Sequence, residues 1–152
     1  MRANQFITEL FDPKTSFPLR WGTQSGENGG VHAEAWDADD RTIDISFTPS
    51  DNDEVIEIVF SRGGYYDMTG KGDAARVMAT VANAIGIYLQ KYKPLYVAFS
   101  AESTGGRASA YAAMIKRLVR GYTLLQPDQY PAVLNNFLAK IDSDASFVLA
   151  RQ

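Results

Sequence analysis

The residues best placed for chemistry are Thr69-Gly70-Lys71-Gly72-Asp73, between a strand-like run and the start of a long helical stripe. Backbone N–H groups at a helix start have no intrahelical acceptor, and the helix dipole adds positive potential there. Glycine lets an anion come close to the chain. A phosphate or pyrophosphate is the ligand such a loop serves. The same glycines also suit a plain strand-to-helix turn, and on the motif alone that reading is the stronger. The spacing excludes a Walker loop, and the glycine pair does not complete a dinucleotide fingerprint. Ser103-Thr104-Gly105-Gly106-Arg107 is a second small-residue loop entering a helix, open to the same two readings.

Other chemistries are bounded more tightly. The chain has no cysteine, which removes disulfides, thiolate catalysis and cysteine-built metal sites. His32 is the single histidine, so histidine-based metal clusters are excluded; on a strand between Val31 and Ala33 it reads as surface or interface packing. Asp37, Asp39 and Asp40 have the composition of a calcium loop but lack its glycine and distant glutamate, and a solvated hairpin fits them better.

These residues need elements to hold them. Residues 1–30 read as a short helix or arm followed by a loop, with Pro13, Pro18 and a Gly/Ser/Asn stretch from Gly22 to Gly30. Three alternating runs follow: Val31 to Asp37, Thr42 to Thr48 and Glu54 to Ser61. Turn-like Ala38-Asp39-Asp40-Arg41 and Pro49-Ser50-Asp51-Asn52-Asp53 join them, so the spacing predicts an antiparallel meander. The apolar positions Ala74, Val77, Met78, Val81, Ala82, Ile85, Tyr88 and Leu89 then recur with the helical period, with Asp73 placed to cap them. Pro94 ends that helix. Leu95 to Ala101 is a continuous apolar run, expected of a strand buried on both faces and completing a βαβ unit. A second helix is expected from Thr104 to Arg120, stopped by Gly121. Then come a short apolar segment, Tyr122 to Leu125, a helix from Pro131 to Ile141, and a strand from Ser146 to Ala150.

At 152 residues, 45% apolar and 22% charged, the chain has ordinary globular composition and the size of one domain, which buries roughly 70% of its unfolded surface. The expectation is a single domain over 1–152. A net charge of −3 and a pI near 5.1 argue against a general grip on nucleic acid. No run approaches the ~18 apolar residues of a membrane span, so a soluble, cytoplasmic protein is expected. Lys91, Lys93, Arg107, Lys116, Arg117 and Arg120 concentrate positive charge in the middle, where a local anion site would fit; for the face formed by the last three, water is the default neighbour.

The order of elements over about residues 31–125 resembles the GNAT-type N-acetyltransferases. An antiparallel meander, a Gly-x-Gly loop, a long helix, a buried parallel strand, and a helix carrying Ala-x-x-Tyr before a Gly-aromatic step follow one another. The matching residues are Gly70, Gly72 and Ala74, the run Leu95 to Ala101, Ala108 with Tyr111, and Gly121-Tyr122. The resemblance is one of order and spacing more than of identities. It implies an α/β (α+β) fold with a GNAT-like mixed sheet, and acetyl transfer from acetyl-CoA to an amine. Gly70, Lys71, Gly72, Asp73 and Ala74 would hold the cofactor. By the same resemblance Tyr111 stands where the family places its general acid, and Glu57 is the first candidate base, followed by Glu34 and Asp44. Read without it, Tyr111 is an aromatic on an apolar stripe and Glu57 a solvent-facing strand residue.

The loop departs from the family at Asp67, where arginine or glutamine is usual three residues before the first glycine. A negative charge there opposes phosphate binding unless Lys71 or Arg76 offsets it. With the lone histidine and Tyr65-Tyr66, this supports a second expectation: a catalytically inactive GNAT-like protein used for interaction or assembly. Small bacteriophage-encoded GNAT-like proteins are similar, implying a virion or host-directed role and a protein partner. A third expectation is an anion- or nucleotide-binding module in which Tyr111 and Glu57 are dispensable.

Overall fold

Every second side chain of a strand points to the same face, and this alternation builds the sheet. In the computed structural model, which describes residues 15–23, 30–50, 54–62, 74–100, 121–140 and 147–152, the strands are β1 (Arg20–Thr23), β2 (Val31–Trp36), β3 (Thr42–Pro49), β4 (Val55–Arg62), β5 (Tyr96–Ser100), β6 (Tyr122–Leu125) and β7 (Phe147–Arg151). They form one mixed sheet in the order β1-β2-β3-β4-β5-β7-β6. Neighbours are antiparallel except β4 and β5, which run parallel in register from Val55↔Tyr96 to Val59↔Ser100. The class is mixed α and β, as expected, with the meander at β2-β3-β4 and a helix between the parallel strands.

That helix, α1 (Ala74–Tyr92), lays its apolar stripe on one face of the sheet. Val77, Val81, Ile85, Tyr88 and Leu89 pack with Ile43, Ile45 and Phe47 of β3 and Ile56, Ile58 and Phe60 of β4. Phe47 stacks on Tyr88, with ring centroids 4.2 Å apart. The other α-helix among the described residues, α2 (Ala132–Lys140), covers part of the opposite face, where Leu134 and Phe137 meet Val55, Ala98 and Val148. The Pro131 carbonyl accepts from the Leu134 and Asn135 amides, so proline opens this helix where its missing N–H costs nothing. β5 is buried on both faces, Val97 and Phe99 under α1 and Ala98 under α2, which accounts for its unbroken apolar run.

The reading of residues 1–30 as an arm and loop is corrected at Arg20–Thr23. This segment is an edge strand, paired with β2 through Gly22↔His32 and its neighbours. Gly22 is a turn signal in sequence, yet here it serves a close approach. A Cβ at Gly22 would lie 2.8 Å from Cε1 of His32, so glycine makes room for the imidazole. The segment before β1 is pinned to α1: buried Phe17 donates its N–H to the Thr80 hydroxyl at 2.8 Å, and the Arg76 guanidinium lies 4.0 Å from the Phe17 ring centroid. The hairpin between β2 and β3 is less solvated than its composition implies, because the Asp37 carboxylate is buried in it. Among the described residues, no helix is long and apolar enough to cross a membrane.

Candidate functional site

Parallel strands with a helix between them leave an opening beyond their carboxyl ends, where loop amides and a helix start converge. Here that place lies above Val59 and Ser100. Val59↔Ser100 is the last β4–β5 pair among the described residues, and β4 is described as far as Arg62, in register with β3. Ala74 begins α1, and Arg76 follows in its first turn. Besides lying over Phe17, Arg76 donates from Nε to the Thr15 carbonyl at 3.0 Å. The guanidinium is thus held at the helix start and exposed to solvent.

Of the residues expected in the site, Gly70, Lys71, Gly72, Asp73 and Tyr111 lie outside the described residues, as do Asp67, Ser103 to Arg107, Lys116, Arg117 and Arg120. The helix expected from Thr104 to Arg120 falls there too. Ala74 is at the first position of α1. Glu57 is half-buried on β4, registered with Thr48 on β3 and Ala98 on β5. It shares a sheet face with Asp44, but Asp44 is registered with Ser61, four residues further along β4, or roughly 13 Å away.

The other two carboxylates are brought together. Glu34 on β2 is registered directly opposite Asp44 on β3, on the face away from α1 and near the carboxyl end of β4. His32, two residues before Glu34 on the same face, places Nε2 3.1 Å from Glu34 Oε1, with both side chains 29% exposed. Burial raises the Asp44 carboxyl above its ordinary range, the Glu34 carboxylate adds to the rise, and His32 opposes it. A carboxylate hydrogen-bonded to an imidazole can exchange a proton with it, and Asp44 stands across the strand pair from that bond. Among the described residues, no set of three or more His, Asp or Glu side chains is arranged to hold a metal ion.

Reading the sequence element by element ranks Glu57 first and sets His32 aside as packing. The signal that joins His32, Glu34 and Asp44 is the strand register, which pairs residues ten apart across the β2–β3 turn. Counting back from the expected turn at 38–41 would set Ala35 against Asp44; the observed turn spans Asp37 to Arg41, and that one extra residue sets Glu34 there instead. Compared with known proteins, the chain matches no family model, no curated protein and no solved structure.

Proposed function

We propose that the chain is a GNAT-like acetyltransferase that transfers an acetyl group from acetyl-CoA to an amine. The observation that carries this reading is the single parallel pair among the described strands. β4 and β5 flank α1 in sequence and pair in parallel from Val55↔Tyr96 to Val59↔Ser100, the last pair among the described residues. A cofactor arm lying beyond that last pair would have its diphosphate at the start of α1, where Arg76 adds a fixed positive charge and Gly70 to Ala74 are the residues the resemblance would assign to hold it. The insertion of β7 between β5 and β6 is compatible with the same reading.

The transfer asks little covalent work of the protein. The amine must be placed beside the thioester, lose a proton to a carboxylate, attack the carbonyl, and leave CoA thiolate to be protonated. Tyr111 is assigned the last step by resemblance. For the first, Glu34 and Asp44 stand behind Glu57 as candidates, and burial, which raises the Asp44 carboxyl, makes it a stronger proton acceptor than an ordinary aspartate.

Calorimetry of acetyl-CoA with the full chain tests the proposal, with Gly72→Asp as the loop variant. Micromolar binding that the variant abolishes is the expected result. No binding at millimolar acetyl-CoA overturns the transferase and favours the reading as a GNAT-like protein whose partners are proteins.

A further inference from the structure

We propose that His32, Glu34 and Asp44 form a proton-sensing cluster that sets how firmly the edge strand β1 holds to the sheet. This goes beyond acetyl transfer and stands whether or not that reading holds.

Three observations carry it. The imidazole of His32 lies against the β1 backbone at Gly22, close enough that a Cβ there would sit 2.8 Å from Cε1 and 3.1 Å from Nε2. The same ring places Nε2 3.1 Å from Glu34 Oε1. Glu34 in turn faces Asp44 directly across the β2–β3 pair. The ring therefore touches both the edge strand and one of the two opposed carboxylates, and histidine is the side-chain type whose charge ordinarily changes between about pH 5 and 8.

With the imidazolium present, one positive charge sits beside Glu34 and diagonal to Asp44, and the Nε2–H donates to Glu34 as a charge-assisted bond. When the ring is neutral that bond weakens, and two like charges stand directly opposite each other on adjacent strands, an unfavourable cross-strand pair. The charged neighbours are few among the described residues. Arg20 on β1 is registered opposite Glu34 and is exposed, and on β4 Ser61 is registered with Asp44 while Glu57 lies four residues away. Among the described residues, helix α2 packs on this face over Val55, Ala98 and Val148, and α1 packs on the other face. The raised Asp44 acts in the same direction: its charge is a cost to the fold above its folded value, and that cost disappears as the pH falls through it. β1 is four residues long and, among the described residues, its strand pairing is with β2 alone, supported by Trp21 stacking on Phe47 at 5.8 Å, so it is the element that responds.

The test follows amide exchange of Arg20–Thr23 in the full chain from pH 5 to 8, corrected for intrinsic exchange, alongside the resonance of the single imidazole. The expected result is that protection of the β1 amides falls on the order of fivefold as the ring loses its proton, with both midpoints coinciding. Asp44→Asn, which removes one of the opposed charges and leaves the histidine in place, flattens that step, and so does His32→Gln. Protection that stays constant through the imidazole titration overturns the proposal. So does a full-sized step in Asp44→Asn, and that variant decides the matter if His32→Gln does not fold.

Discussion

Replacing Asp37 by alanine should loosen the hairpin that sets the register of β2 against β3. The carboxylate is fully buried, and its Oδ1 accepts from the backbone N–H groups of Asp39 at 2.8 Å and Arg41 at 2.9 Å. Its Oδ2 lies 3.2 Å from Nε of Arg41. Hydrogen bonds to a charged acceptor contribute about 1.5–3 kcal/mol each, less where water can take over, and both donor residues are exposed, so about 1 kcal/mol for each amide is the working value. The half-exposed arginine pair adds about 0.5 kcal/mol. Asp37→Ala is therefore expected to cost about 2–3 kcal/mol, which in a chain of this size lowers the melting temperature by roughly 5–10 °C. Asp37→Asn keeps an oxygen at the Oδ1 position and should cost about 1 kcal/mol. Urea unfolding of both variants, with an Asp37/Arg41 double-mutant cycle, checks the ordering. Alanine within about 0.5 kcal/mol of wild type would refute the claim that this carboxylate organises the turn. Asparagine as damaging as alanine would place the stabilisation in the charge instead of in the two amide bonds.

The remaining expectations concern the segments that frame the candidate site. Thr80→Val leaves the buried Phe17 N–H without its 2.8 Å acceptor and should cost about 1–3 kcal/mol, read by thermal unfolding; Thr80→Ser, which retains the hydroxyl, should recover most of it. Lys93 follows α1 with φ 48°, the left-handed region where a side chain is strained, and its carbonyl accepts from Arg151 Nη1 at 2.6 Å. Lys93→Gly removes the strain, keeps that backbone acceptor, and should stabilise the chain by up to about 1 kcal/mol in urea unfolding; a loss of the same size would show that the lysine side chain matters more than its backbone. Acetyl-CoA binding that Gly72→Asp abolishes, and a pH step in β1 protection that Asp44→Asn flattens, complete the set.

Much of the sheet is legible in the order of residues because burial follows the period of the chain. Ile43, Ile45 and Phe47, then Ile56, Ile58 and Phe60, announce one-sided strands; the stripe from Val77 to Leu89 announces α1; and the unbroken run around Val97 to Phe99 announces a strand covered on both sides. β1 escapes that logic. Four residues interrupted by glycine carry too little pattern, and the reason for the glycine is an imidazole ten residues away in sequence. Asp37 escapes it as well, since an aspartate in an acidic turn looks solvated until its carboxylate is seen to accept two amides of that turn.

For the candidate site the division is sharper. Residue types and local spacing determine that this chain has no thiol chemistry and no histidine cluster, and that a glycine loop precedes its longest helix, because these depend on identity and on neighbours along the chain. The parallel pair β4–β5 is the βαβ unit the sequence leads one to expect, but only the tertiary structure decides that Glu34 and Asp44 face each other while Glu57 stands roughly 13 Å further along. Only it puts His32 across Gly22 with its nitrogen on Glu34. Strand order and register are settled by which faces bury together, and a shift of one residue would send each of these side chains to the opposite side of the sheet.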